Sequence, residues 1–151
     1  MSKQNILESV LGWGFEGGHP QHTFLLSAQE ANKLWAEKID RHNFHYFKLG
    51  DDVWVTQTDT LLTNNWVECY NNEQSEETTN TLSAFEEWHD TDTIYFCRNG
   101  SIIIESTWAE FKNYWRCFLS IYDDCPIILN AAVPHVALIF SARGAIFIAR
   151  Q

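Results

Sequence analysis

Hydrophobic residues in the second half of the chain fall into one helical repeat and several short apolar runs. Trp108, Phe111, Trp115, Phe118, Leu119 and Tyr122 stand at offsets 0, 3, 7, 10, 11 and 14, which is one face of a 3.6-residue repeat. Glu110, Lys112, Asn113, Arg116 and Ser120 fall on the opposite face. Thr107 and Glu110 have the spacing of a capping box, in which a hydroxyl and a carboxylate each satisfy an orphan amide of the first turn. The pattern predicts one long amphipathic helix over 107–122. Residues 93–97 and 101–105 are instead dense in β-branched and aromatic side chains, and Arg98-Asn-Gly100 between them carries a strong hairpin signal. Asp123-Asp-Cys-Pro126 stops the helix and opens a strand at 127–129, proline being tolerated at a strand's first position. A second hairpin follows, 135–140 and 145–149 around the turn at 141–144. The order β-β-α-β-β-β predicts an α+β fold, an antiparallel sheet with the long helix packed across one face.

The first half is less regular. Ser27-Ala-Gln-Glu30 is a second capping box and opens a helix to about Ile39, with Ala31, Leu34, Trp35 and Ile39 as its inward stripe. Residues 44–48 and 53–56 read as two short strands around Gly50-Asp-Asp. Residues 57–65 are polar apart from Leu61-Leu62, and 71–80 are almost wholly polar, so the latter are expected to form a mobile surface loop. Residues 82–88 suggest one or two helical turns with Leu82 and Phe85 facing in. At the start, 5–11 is too brief to assign to helix or strand. The glycine-rich 12–20 reads as a loop anchored by Trp13 and Phe15, because no Gly-Lys-Ser/Thr completes a phosphate-binding motif.

Composition bounds these elements. A chain of 151 residues, 45% hydrophobic and 15% aromatic, has enough apolar surface for one domain over 1–151 without disulfide or metal staples. The four cysteines are widely spaced and form no Cys-x-x-Cys pair, which fits reduced, partly buried thiols. With no secretory leader and no apolar run long enough to span a bilayer, a cytoplasmic protein is expected, with no membrane partner. The formal charge of −10 is uneven: no Lys or Arg lies between Lys48 and Arg98, where eleven Asp and Glu fall. Such a field repels phosphate backbones, so nucleic acid is not an expected ligand. It would attract a basic protein. The plain alternative is that the acids keep the protein in solution.

Candidate chemistry is sparse. His19, His22, His42 and His45 form two His-x-x-His pairs that could together hold zinc, in support of a small metal-dependent hydrolase. The i, i+4 spacing that places two ligands on one helix face is absent. Cys125 follows two acids that suppress a thiolate, and Cys97 and Cys117 sit where burial is expected. No Gly-x-Ser-x-Gly elbow occurs, and Ser101 and Ser106 have no base that sequence identifies. No cofactor motif is present. Paired carboxylates are plentiful. Asp51, Asp52, Glu86 and Glu87 on the acidic stretch, with Asp123 and Asp124 at the end of the aromatic helix, are the candidate partner-binding acids, and Arg98, Arg116, Arg143 and Arg150 are potential counter-ions for the last pair.

Thr93-Ile-Tyr-Phe-Cys97, Ile104 through Leu119 and Asp123-Asp-Cys-Pro-Ile-Ile128 together resemble an uncharacterised bacterial family, domain of unknown function 2947, over residues 93–128. The resemblance implies the α+β fold, a cytosolic location and a bacterial source. It brings no catalytic residue. The small, acidic, aromatic-rich composition is also similar to that of immunity proteins that block basic nuclease toxins. The expectation is a non-enzymatic protein-binding module, with an immunity protein and a metal-dependent hydrolase as alternatives.

Overall fold

A computed structural model describes residues 20–72, 74–121 and 125–151. The two expected hairpins and the strand expected between them supply five adjacent strands. They are β3 (Thr93–Cys97), β4 (Ile103–Thr107), β5 (Ile127–Asn130), β6 (Val136–Phe140) and β7 (Ile146–Arg150). Two further strands, β1 (Phe24–Leu25) and β2 (Thr58–Thr63), border them. All neighbours are antiparallel, in the order β1-β4-β3-β5-β6-β7-β2. The fold is α+β, as expected.

Alternation along the strands sends side chains to two separate cores. Ile94, Phe96, Ile104, Ile128, Leu138, Phe140 and Ile148 face one layer. Cys97, Ile103, Ile127, Leu129, Ala137, Ile139 and Ala149 face the other. Both faces are covered, so every residue of β5 and β6 is buried and each strand reads as a continuous apolar run. The first layer holds three helices, α2 (Trp66–Asn71), α3 (Ser75–Ser83) and α4 (Trp108–Leu119). The second holds α1 (Ala28–Lys38) and two 3-10 turns.

The apolar face of α4 is a cluster of stacked, tilted and edge-on rings. Trp108, Phe111, Trp115, Phe118 and Leu119 are all buried. Phe111 stacks on Trp108 at 5.8 Å and meets Phe118 at 5.1 Å, Phe140 at 5.9 Å and Phe96 at 6.1 Å. The helix is shorter than the expected 107–122 and is not one regular rod, since Tyr114 has non-helical angles (φ −119°, ψ 22°). Tyr122 lies outside the described residues. The Ser27 capping box closes fully, whereas at α4 only half of it forms: Thr107 Oγ1 accepts the Glu110 amide, while the Glu110 carboxylate is used elsewhere. The Asp92 and Asp90 carbonyls accept the amides of Trp108 and Ala109.

Four sequence expectations are corrected. Residues 44–48 and 53–56 are not strands but contain 3-10 turns, Tyr46–Lys48 and Trp54–Thr56. Apart from the exposed Phe47 their apolar side chains pack on the second core, and amides there bond locally (Leu49 to Tyr46, Gln57 to Trp54), so no sheet neighbour is needed. Residues 75–83 are helical rather than loop. Thr78 and Leu82, one turn apart, are both buried, which anchors an otherwise polar segment against α4. Helix α3 ends at Ser83, so 82–88 is mostly turn, although Leu82, Phe85 and Trp88 do face inward. Strand β4 starts at Ile103 instead of Ser101. Asn99 Oδ1 accepts the amides of Ser101 and Ile102 and lengthens the turn, and the Gly100 amide donates to Phe44. A Cβ on Gly100 would lie 2.3 Å from the Phe44 ring, so the close approach requires glycine. The readings of 5–11 and of the glycine-rich loop up to residue 19 lie outside the described residues.

Candidate functional site

The histidines disperse over loops. His22 precedes β1, His42 follows α1 and donates its amide to Asp40, and His45 precedes the first 3-10 turn; all three are exposed. His19 lies outside the described residues. Among the described residues no group of three or more His, Cys, Asp or Glu could hold a metal ion. The cysteines are free and buried, and burial pushes the Cys97 thiol far above its usual range, so it stays protonated and unreactive.

One polar cluster was invisible to sequence reasoning. Thr23 Oγ1 lies 2.8 Å from Ser106 Oγ and donates to Glu110 Oε2 at 2.5 Å. Glu110 also accepts the His22 amide at 2.9 Å and faces His22 Nδ1 at 3.1 Å. An ionised carboxylate only accepts and Thr23 has one proton to give, so Ser106 donates to Thr23 and the chain runs Ser106 to Thr23 to Glu110. The arrangement superficially suggests an activated serine. Thr23 is 0% and Ser106 1% exposed, however, so no substrate reaches either hydroxyl. The cluster instead fastens the start of β1 to the N-terminus of α4. The Thr107–Glu110 spacing pointed to a cap, and only the fold reveals where the carboxylate goes.

Two clefts among the described residues are small. One, of about 140 Å³, lies between Leu34 and Lys38 of α1 and Tyr95 and Leu129 of the sheet. The other, of about 210 Å³, lies between Trp66 and Tyr70 of α2 and Leu119 and Ser120. Drug-sized and cofactor-sized ligands occupy roughly 300–1,000 Å³. Tyr95 in the first cleft has its phenol pushed up by burial and by the Glu105 carboxylate, which keeps it a neutral donor.

The acidic stretch has a definite place. It builds β2, α2, α3 and the turns of 84–92, and thus one sheet edge with much of the first helical layer. Some of its acids are tied. Arg150 holds Glu87 through two bonds of 2.6 Å and Asp59 at 3.2 Å, and the Arg150 hydrogen bonds draw the Glu87 carboxyl below its usual range. Lys112 pairs with Asp90 at 2.6 Å and lies over the Trp108 ring. Burial opposes ionisation of Asp92, but bonds from Asn130 and the His89 amide outweigh it and keep its carboxyl low. Glu68, Glu76 and Glu86 are exposed and meet no cation among the described residues. Asp51 and Asp52 are exposed on the turn before β2.

Asp123 and Asp124 lie outside the described residues. Of the arginines considered as their counter-ions, Arg150 is engaged with Glu87 and Asp59. Arg116 donates to the Tyr70 carbonyl and stacks 4.9 Å from its ring. Arg98 Nε donates to the Ile121 carbonyl at 2.7 Å, two residues before that pair.

A family model described as protein of unknown function, DUF2947, matches residues 20–148. The chain belongs to this family. No curated protein and no solved structure matches it. The DUF2947 match extends well beyond 93–128 and takes in α1, β2 and the acidic helices, so the acidic layer is part of the family's domain rather than an appendage to it. No helix among the described residues is long and apolar enough to cross a membrane.

Proposed function

We propose that this DUF2947 protein is a non-enzymatic module that binds a basic protein partner through its acidic layer. The observation that carries the reading is the concentration of charge: a stretch without Lys or Arg folds into one edge and much of one helical layer, and Glu68, Glu76 and Glu86 there meet no cation among the described residues. Like charges held together on a folded surface repel, and an oppositely charged partner relieves that repulsion while accelerating encounter. The small clefts and the buried, fully bonded hydroxyl cluster support the same reading, since neither offers room for a substrate beside a reactive group. A basic toxin would be one partner of this chemistry.

The test is affinity capture from the native host at low and at high salt. A basic protein retained at low salt and released at high salt is expected, because exposed charges beyond roughly 10 Å are screened at 0.1 M. A partner that is neutral or acidic, or one held equally at both salts, would overturn the proposal.

A further inference from the structure

The two edges of the sheet differ. Edge β1 is two residues long, and the residues before it are clipped to Glu110. Edge β2 is six residues long with the exposure pattern of a surface strand, and among the described residues no strand pairs with its outer side. Such an edge presents unpaired backbone donors and acceptors, and proteins usually protect it with lysine or proline. Thr58-Asp-Thr-Leu-Leu-Thr63 has neither. Its Leu61 is 52% exposed, one of two large hydrophobic side chains open to solvent among the described residues. Register shifts at Thr58/Thr60 and Leu61/Thr63 twist the strand, which limits long flat pairing but leaves a short segment able to pair.

Acids bracket this edge from both layers. At its end, Thr63 donates to Asn65 and Asn65 donates to Glu77 Oε1, each at 2.7 Å. At its start, Asp59 and Glu87 share Arg150. On the other layer the Asp51-Asp52 turn is tied to Gln57, whose Nε2 donates to the Asp51 carbonyl at 3.1 Å. Arg150 lies along this edge, and the exposed Arg143 stands on the turn beside Asn64. A second copy of this edge would bring acids against acids. An incoming strand bearing Lys or Arg would meet them favourably.

We infer that the outer edge of β2 is a docking site for an extended, Lys- or Arg-bearing segment of a protein partner, which adds to the sheet as an eighth strand over Leu61. Backbone bonds provide the affinity of strand addition, and alternate side chains provide its selectivity. The inference rests on the acidic-layer reading and specifies where and in what conformation the partner binds.

Isotope-labelled full-length protein is titrated with an eight-residue peptide alternating Lys and Val, and with its Glu-Val counterpart, at low salt. The Lys-Val peptide is expected to shift the amides of 58–63 and slow their exchange, and the Glu-Val peptide to do neither. Leu61→Lys places a cation on the edge and is expected to weaken Lys-Val binding about tenfold, equivalent to about 1.4 kcal/mol. Leu61→Thr keeps the strand and is expected to retain most of it. Shifts confined to α2 and α3, with β2 unmoved, overturn strand addition and leave the acidic-layer proposal standing. Failure of the Lys-Val peptide to bind anywhere counts against both. Amides of 58–63 already protected in the free protein would place the chain's own residues or, if protection rises with concentration, a second copy on the edge, and either result overturns the inference.

Discussion

The region from Thr93 to Arg150 and the region from Thr58 to Asp92 reach order by opposite routes. The first carries its own apolar surface: five strands, two of them buried at every residue, and a helix whose buried stripe is mostly aromatic. The second is polar, and its order depends on what it covers. Helix α3 is held by Thr78 and Leu82 against α4, and β2 by its ladder to β7. The difference teaches that the first region sets the fold, while the second, relieved of that task, can hold a dense charge at its surface.

The largest effect is expected at the centre of the first region. Phe111→Ala removes a ring packed against four other aromatics and should cost about 3–5 kcal/mol, read by chemical denaturation. A cost below about 2 kcal/mol would mean that α4 is not the organising element. Leu82→Ala strips the buried apolar anchor of α3 and should cost about 2–3 kcal/mol. Hydrogen exchange separates the two regions: amides of α3 should lose protection while those of β3 and β5 keep theirs. Uniform loss would show that the regions unfold as one.

What was legible in the sequence follows the same division. Helix α4 and its capped start follow from the 3.6-residue repeat, and the second hairpin from two apolar runs around a turn, because these signals lie in neighbouring residues of the sequence. Helix α3 was not legible, since one leucine and one threonine make no stripe, and their burial depends on a helix some thirty residues away. Strand β2 was missed for a related reason: an edge strand exposed along most of its length shows no alternation, and its register is set by β7. The site followed this pattern too. Glu110 was recognised as a capping residue, but its bonds to His22 and Thr23 join positions more than eighty residues apart. The acidic character of 49–92 was plain from composition, whereas the bracketing of β2 by Glu77, Glu87 and Asp51 required the fold.

Smaller changes probe the seam between the regions. Gly144 has φ +100°, and a Cβ there would lie 2.9 Å from the Asn64 carbonyl, so Gly144→Ala should cost about 1–3 kcal/mol in thermal or chemical unfolding. The smallest effect is expected at Glu87→Gln. Its carboxyl is half-exposed, so the bond to Arg150 is worth only a few tenths of a kcal/mol. Because Arg150 lowers the Glu87 pKa from 4.5, that contribution is fully present above about pH 4.5 and disappears as pH falls through the lowered value. Wild type and variant should therefore differ at pH 7 and converge in acid. A difference that grows in acid would contradict the pairing.

The most direct test of the central claim, that the acidic region is a binding surface, is side-by-side capture with wild type and a variant combining Glu68→Gln, Glu76→Gln and Glu86→Gln. These acids meet no cation among the described residues, so the variant should fold with thermal stability close to that of the wild type. At low salt it should lose the basic partner that the wild type retains. A folded variant that holds the same partner as tightly as the wild type would contradict the account.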